Sequence, residues 1–307
     1  MQTIRIWNLA WETAAHIHFP PGFDPTRKYP AIVSTHPIGS CKEQTAGNVY
    51  GAALAKEGFV VVAFDASFQG DSGGEPRFIE DPSTRVADIR FVIDHLVTLP
   101  YVDAHRIGAI GVCGGGGYTV QAAMTDRRIK ALASITGVNF GRLMREAFSG
   151  FDPVGALDAM AQQRTAEARG AARHVINYLP ASVEEGRRNG VTDIDVLEAT
   201  DYYRSPRGQQ PNGATSGLFS FNSAAMAWDA FAHAEVLLTQ PLMVVVGDKP
   251  GGFGAHRDGP EIHGRAASKT KELVVLAGWS HYDLYDRPEP VALALAKLVP
   301  FFQTHLA

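Results

Sequence analysis

Short apolar runs alternate with amphipathic segments along most of the chain, and this alternation predicts strands followed by helices. Buried parallel strands are typically rich in β-branched and aliphatic residues, as these runs are. The pattern predicts an α/β fold with a mainly parallel sheet covered by helices on both faces. The predicted strands are Thr3–Ile6, Ala14–Phe19, Tyr29–Thr35, Phe59–Phe64, Arg106–Val112, Ile129–Ile135, Leu242–Val246 and Glu272–Leu276; the predicted helices are Glu43–Lys56, Pro82–Leu99, Gly114–Thr125 and Val291–Phe302.

The alternation breaks between Ile135 and Leu242, where no clear strand is predicted. This stretch is rich in Ala, Arg, Glu and Gln, with apparent helices near Asp158–His174 and Ser182–Arg188. We expect a core of residues 1–136 and 241–307 and a helical insertion of residues 137–240. The insertion either stabilises an edge of the core or forms a lid, and we favour the lid because sites in open α/β sheets lie at the carboxyl ends of strands.

The most informative motif is Gly111-Val112-Cys113-Gly114-Gly115, at the point where a predicted strand meets a predicted helix. A Gly-x-nucleophile-x-Gly sequence in this context indicates a nucleophile elbow, here with cysteine at its centre. The glycines allow backbone to pack closely on both sides of the turn. The helix start favours a thiolate on Cys113. A phosphate-binding loop is the alternative, but the Gly-Lys-Ser/Thr ending of such loops is missing.

A cysteine nucleophile needs a base and a group that orients the base. His281 is the predicted base, because it lies in a loop between the last predicted strand and the final helix. It either withdraws the thiol proton or forms an ion pair with the thiolate. The acid should follow the strand Leu242–Val246, where Asp248 is the first candidate, Asp258 the second and Glu261 a weaker third.

Acyl transfer also requires two converging N–H groups for the oxyanion. Gly114 should supply one and Ile38 the other, or Gly39 in its place, because Pro37 has no N–H. We expect His36 to hold this loop by packing and hydrogen bonding. Glu43 is either a charged residue in a first helical turn or a carboxylate that contacts the resting thiol.

The composition fits an enzyme that acts on small molecules. The chain has 307 residues, a net charge of −4 and a pI near 6.3, so neither nucleic acid nor an anionic membrane is an expected partner. Two cysteines give no disulfide framework, and the N-terminus does not resemble a signal peptide, so we expect a cytoplasmic location. We find no metal-binding motif and expect neither a metal nor an organic cofactor.

The chain resembles the dienelactone-hydrolase-like branch of the α/β-hydrolase superfamily. The segments that carry the resemblance are His36–Gln44, Phe64–Gly74, Gly111–Gly115 and Ser280–Asp286. The resemblance implies an α/β-hydrolase fold, and similar cysteine enzymes act as thiohydrolases or acyltransferases in polyketide pathways. We therefore predict hydrolysis of a small-molecule ester, lactone or thioester through an acyl-enzyme. Acyl transfer and a non-catalytic binding protein are the alternatives, and a homodimer is left open.

Overall fold

The core of the molecule is an eight-stranded mixed sheet, seen in a computed structural model that describes residues 1–148 and 150–307. Its strands run in the order β1-β2-β4-β3-β5-β6-β9-β10. Their bounds are β1 Gln2–Trp7, β2 Glu12–His18, β3 Tyr29–Thr35, β4 Val60–Phe64, β5 Val102–Val112, β6 Ile129–Ile135, β9 Leu242–Gly247 and β10 Lys271–Leu276. All eight predicted strands are confirmed, with β5 beginning earlier than predicted.

The strand directions place the chemistry at one edge of the sheet. β2 is antiparallel to β1 and to β4. The six strands β4, β3, β5, β6, β9 and β10, in this spatial order, are parallel to one another. Every residue of β4 and β9 is buried, which explains why these runs are apolar throughout instead of alternating. The loops that follow β3, β5 and β10 therefore leave the sheet at the same edge.

Five helices contact strands of the sheet, namely α1 (Ala52–Lys56), α2 (Pro82–Leu96), α3 (Gly114–Thr125), α10 (Ala255–Arg265) and α12 (Pro288–His305). A π-helical stretch, Thr45–Gly51, begins the segment that was predicted as one helix up to Lys56. The helices are α1 Ala52–Lys56, α2 Pro82–Leu96, α3 Gly114–Thr125, α4 Phe140–Leu143, α5 Pro153–Ala168, α6 Val183–Arg188, α7 Ile194–Arg204, α8 Ser223–Met226, α9 Ala234–Leu237, α10 Ala255–Arg265, α11 Asp283–Asp286 and α12 Pro288–His305. No helix in the described residues is both long and apolar enough to cross a membrane.

The insertion between β6 and β9 differs from its prediction in detail. It contains α4 to α9 and two short strands, β7 Val175–Asn177 and β8 Ser216–Leu218, which pair with each other in antiparallel fashion and were not predicted. Helix α5 ends at Ala168 rather than at His174, because Gly170 adopts a φ of +97° that terminates the helix. Helix α7 was also missed, although Asp193 caps its first turn.

Candidate active site

Cys113 occupies the sharp turn between β5 and α3, with a φ of +56° that L-residues rarely adopt. A Cβ at Gly111 would collide with the backbone of Gly115, and one at Gly115 would collide with the Thr35 carbonyl. Glycine is therefore required on both sides of the cysteine, as the motif predicts. The turn holds the Cys113 side chain at the edge of the sheet, where it is 4% exposed.

Three hydrogen-bond donors surround the thiol of Cys113. They are the backbone N–H groups of Ile38 and Gly114 and the hydroxyl of Tyr285, and each favours the thiolate form. Burial is the larger effect, and it raises the pKa of the Cys113 thiol to about 11. The Gly114 N–H at the helix start favours the thiolate, but burial outweighs the donors. Ile38 and Gly114, the residues predicted to bind an oxyanion, are thus the two whose N–H groups contact the thiol.

His281 lies in the loop after β10, as predicted, and only 4% of its surface is exposed. Its Nε2 atom lies 3.4 Å from the Tyr285 hydroxyl, which itself contacts the Cys113 sulfur. Tyr285 thus connects the imidazole to the thiol. Burial, with a smaller contribution from the charge of His256, lowers the pKa of His281 to about 3. At neutral pH the resting pair is therefore an uncharged imidazole and an uncharged thiol.

The three carboxylates considered for the acid bind other groups. Asp258 is buried, lies 2.6 Å from Arg142 Nε and accepts a 2.7 Å hydrogen bond from the Asn139 N–H. Asp248 is exposed and accepts a 2.7 Å hydrogen bond from the Gly278 N–H, and Glu261 pairs with Arg265 at 3.1 Å. None of them is hydrogen-bonded to His281, whose Nδ1 atom is buried without a hydrogen-bond partner among the described residues.

His36 and Glu43 have structural contacts. The His36 Nε2 atom accepts a 3.0 Å hydrogen bond from the Ala66 N–H and lies 2.9 Å from Arg85, so the ring holds the loop after β3 as expected. Glu43 pairs with Lys42 at 2.6 Å rather than with the Cys113 thiol. Donor atoms of Cys41, Glu43 and Asp65 lie within 4.8 Å of one another, but the Lys42 ammonium also binds Asp65 at 2.8 Å and is already the cation of this group.

A small cavity borders Cys113. Its walls are mostly aromatic and aliphatic, with hydroxyl groups as the main polar atoms. Core and insertion both contribute to them. The lining residues are Pro37, Ile38, Cys113, Leu143, Phe148, Tyr178, Leu179, Tyr203, Thr215, Phe253, Tyr282 and Tyr285.

Two residues near Cys113, Tyr285 and Asp195, were not predicted from the sequence. Tyr285 stands four residues after His281, a spacing that places two side chains on the same side of a helical turn, so this contact could have been found. Asp195, in the first turn of α7, is buried, and one of its oxygens has no hydrogen-bond partner in the part of the chain that the structure describes. No motif identifies Asp195, because it lies in the insertion, far along the chain from both Cys113 and His281.

Comparisons with known proteins identify the family. Residues 13–174, a stretch that contains Ile38 and Cys113, match the model of the X-Pro dipeptidyl-peptidase (S15) family. The chain belongs to this family. It is 40% identical to YcjY of Escherichia coli K12 over 297 residues, which are 95% of this chain and 94% of YcjY.

Solved structures agree with this assignment. The crystal structure of PA2218 from Pseudomonas aeruginosa has a TM-score of 0.88 at 27% identity, covering 99% of this chain and 93% of PA2218. The α/β hydrolase GrgF from Penicillium sp. sh18 has a TM-score of 0.82 at 16% identity, covering 99% of this chain and 98% of GrgF. The predicted α/β-hydrolase fold is confirmed, and the chain is a hydrolase of this type. The narrower dienelactone-hydrolase-like assignment stays a prediction.

Proposed function

We propose that the chain is a cysteine-dependent hydrolase that cleaves a carboxylic ester, lactone or thioester through an acyl-enzyme. One observation carries the proposal: the Cys113 sulfur, fixed on a strained turn, faces a cavity and two converging N–H groups. Donors arranged in this way stabilise an oxyanion more than they stabilise a carbonyl group. His281 lies behind the sulfur, connected to it by Tyr285.

Acylation begins when the Cys113 sulfur attacks the carbonyl carbon and forms the carbon–sulfur bond. The thiol proton passes to His281 Nε2, and the Tyr285 hydroxyl between them can relay it. The N–H groups of Ile38 and Gly114 bind the oxyanion. When the intermediate collapses, the bond to the leaving oxygen or sulfur breaks and His281 returns the proton to that atom.

Deacylation reverses the proton transfers with water as the nucleophile. His281 takes a proton from water, and the resulting hydroxide attacks the thioester carbon. Collapse of the second intermediate releases the carboxylic acid and restores the Cys113 thiol. His281 is unprotonated at the start of each half-reaction and can therefore accept a proton.

The cavity indicates the kind of acyl group. Its aliphatic and aromatic walls favour a mainly apolar acyl chain. Insertion residues such as Leu143, Leu179 and Tyr203 form much of the wall, which supports the insertion as a lid that sets substrate choice. The nearby tyrosine hydroxyls suit an acyl group that carries an oxygen substituent.

Acyl transfer to an alcohol or amine is the second candidate. The near-complete burial of Cys113 and His281 favours it, because a site closed to bulk water protects an acyl-enzyme from hydrolysis. Product analysis separates the two, since transfer gives a new ester or amide whereas hydrolysis gives the free acid.

The test is an assay with p-nitrophenyl esters, lactones and acyl thioesters, combined with mass spectrometry of the trapped acyl-enzyme. An X-Pro dipeptide anilide is included because of the family. We expect the Cys113→Ala variant to lose turnover by on the order of a thousandfold or more and to form no adduct.

Cys41→Ala is the matched control, because Cys41 is the other cysteine and is equally buried. Its adduct and turnover should be like those of the unmodified protein. Turnover that survives in Cys113→Ala on every substrate would overturn the proposal, and cleavage of the peptide alone would replace it with a peptidase function.

A further inference from the structure

His281 lacks the partner that a base histidine needs. Its Nδ1 atom is buried without a hydrogen bond to any described residue, although an imidazole that accepts a proton at Nε2 must donate one from Nδ1. A buried polar atom left without a partner costs about 1–3 kcal/mol, so its presence in a native site asks for an explanation. The partner of Nδ1 should therefore be a hydrogen-bond acceptor that is itself buried and has no other donor.

Asp195 in α7 offers such an acceptor. Its side chain is 1% exposed, and its Oδ1 atom also has no hydrogen-bond partner in residues 1–148 and 150–307. Its Oδ2 atom accepts a 2.9 Å hydrogen bond from the N–H of Phe253, whose ring packs edge-on against the His281 ring at 5.9 Å. A Cβ at Gly251 would overlap the Asp195 carboxylate, which shows how closely the loop after β9 encloses it.

We infer that Asp195, supplied by the insertion, is the positioning residue for His281, with its free oxygen Oδ1 serving the imidazole Nδ1–H during the reaction. The inference rests on the proposed cysteine chemistry. The two atoms are not hydrogen-bonded in this resting structure. The bond would form when His281 takes up the thiol proton, because an imidazolium then needs a negative partner.

This assignment has a pH signature. Burial, opposed by the Phe253 N–H, raises the pKa of Asp195 to about 7. Below that pH Asp195 is protonated and cannot stabilise an imidazolium, so kcat/KM should fall as the pH drops through about 7. The carboxylate is close enough to the thiol for its charge to raise the pKa of Cys113. The charged and titratable groups whose charges interact with Asp195 are Asp193 and Glu198 from its own helix, Cys113 from the elbow and Tyr282 from the loop after β10.

The experiment uses Asp195→Asn, which keeps an oxygen for the Phe253 N–H but replaces the other oxygen with a donor. We expect kcat/KM to fall by on the order of a hundredfold, since an amide behind the base holds the wrong tautomer. The decline of kcat/KM below pH 7 should disappear in Asp195→Asn. Asp195→Glu should restore part of the lost kcat/KM and part of its decline below pH 7. Asp193→Asn is the control: Asp193 caps the same helix and binds the Gly252 N–H, and asparagine also caps helices well.

Alkylation of Cys113 is measured in the same variants and in His281→Ala. If His281→Ala slows alkylation and Asp195→Asn does not, and kcat/KM keeps its decline below pH 7, the assignment of Asp195 is overturned while the cysteine–histidine site stands. If His281→Ala changes neither alkylation nor turnover, the proposed function itself fails. Equal losses of kcat/KM in Asp193→Asn and Asp195→Asn, with the same drop in unfolding temperature and no change in pH profile, would overturn the assignment. They would show that Asp195 only stabilises the loop after β9.

Discussion

The two cysteines share burial but have opposite surroundings. Cys113 faces the N–H groups of Ile38 and Gly114 and the Tyr285 hydroxyl, and it borders a cavity. Cys41 is fully buried, and its sulfur lies 3.6 Å from the Gln44 side-chain oxygen.

Charge separates the two thiols further. Burial raises the pKa of both, but the carboxylates of Asp65 and Glu43 raise that of Cys41 further, whereas donors work against burial at Cys113. The contrast teaches that burial alone does not decide which thiol can react. What distinguishes Cys113 is that its surroundings stabilise negative charge at the sulfur and leave room beside it for a carbonyl group.

The largest effect on the reactivity of Cys113 is expected when its base, His281, is removed. In His281→Ala we expect kcat to fall by about a hundredfold or more, because general base catalysis commonly contributes that much. Alkylation of Cys113 should slow at pH 7 and the deficit should shrink as the pH approaches 11, where solvent removes the proton instead. Stopped-flow turnover and iodoacetamide labelling from pH 6 to about 10 measure both effects; a loss that is independent of pH would point to misfolding instead of a missing base.

How far the sequence predicts this site follows from where its parts lie in the chain. The elbow, Ile38 and His281 each stand directly after a strand, so local motifs and element order are enough to locate them. Asp195 and the cavity wall lie in the insertion, and their contacts depend on how short helices pack against the core. Burial also raises the pKa of the Cys113 thiol, and burial, unlike the helix start, is not visible in the sequence.

Iodoacetamide labelling compares the two cysteines directly. We expect Cys113 to react faster than Cys41, because the carboxylates of Asp65 and Glu43 raise the pKa of the Cys41 thiol further and because Cys113 borders a cavity. The rate at Cys113 should rise about tenfold per pH unit from pH 7 towards 10, since its pKa is about 11. A plateau across neutral pH would instead reveal a thiolate–imidazolium pair, and peptide mapping assigns the label to each cysteine.

The smallest effect is expected when a single hydrogen-bond donor, the Tyr285 hydroxyl, is removed. Tyr285→Phe keeps the ring, which packs on Tyr282 at 4.3 Å, but removes the hydroxyl between Cys113 and His281.

We expect kcat to fall by about tenfold in Tyr285→Phe, because the thiol loses a hydrogen bond to its charged form and the proton loses a relay. Tyr50→Phe is the control, since the Tyr50 hydroxyl donates a 2.7 Å hydrogen bond to the Leu284 carbonyl on the same segment. Both variants should lose about 1–3 kcal/mol of unfolding free energy at most, but only Tyr285→Phe should slow acylation measured at a fixed pH. Equal rates in the two variants would leave the Ile38 and Gly114 N–H groups as the feature that separates Cys113 from Cys41, and would require His281 to take the proton without Tyr285.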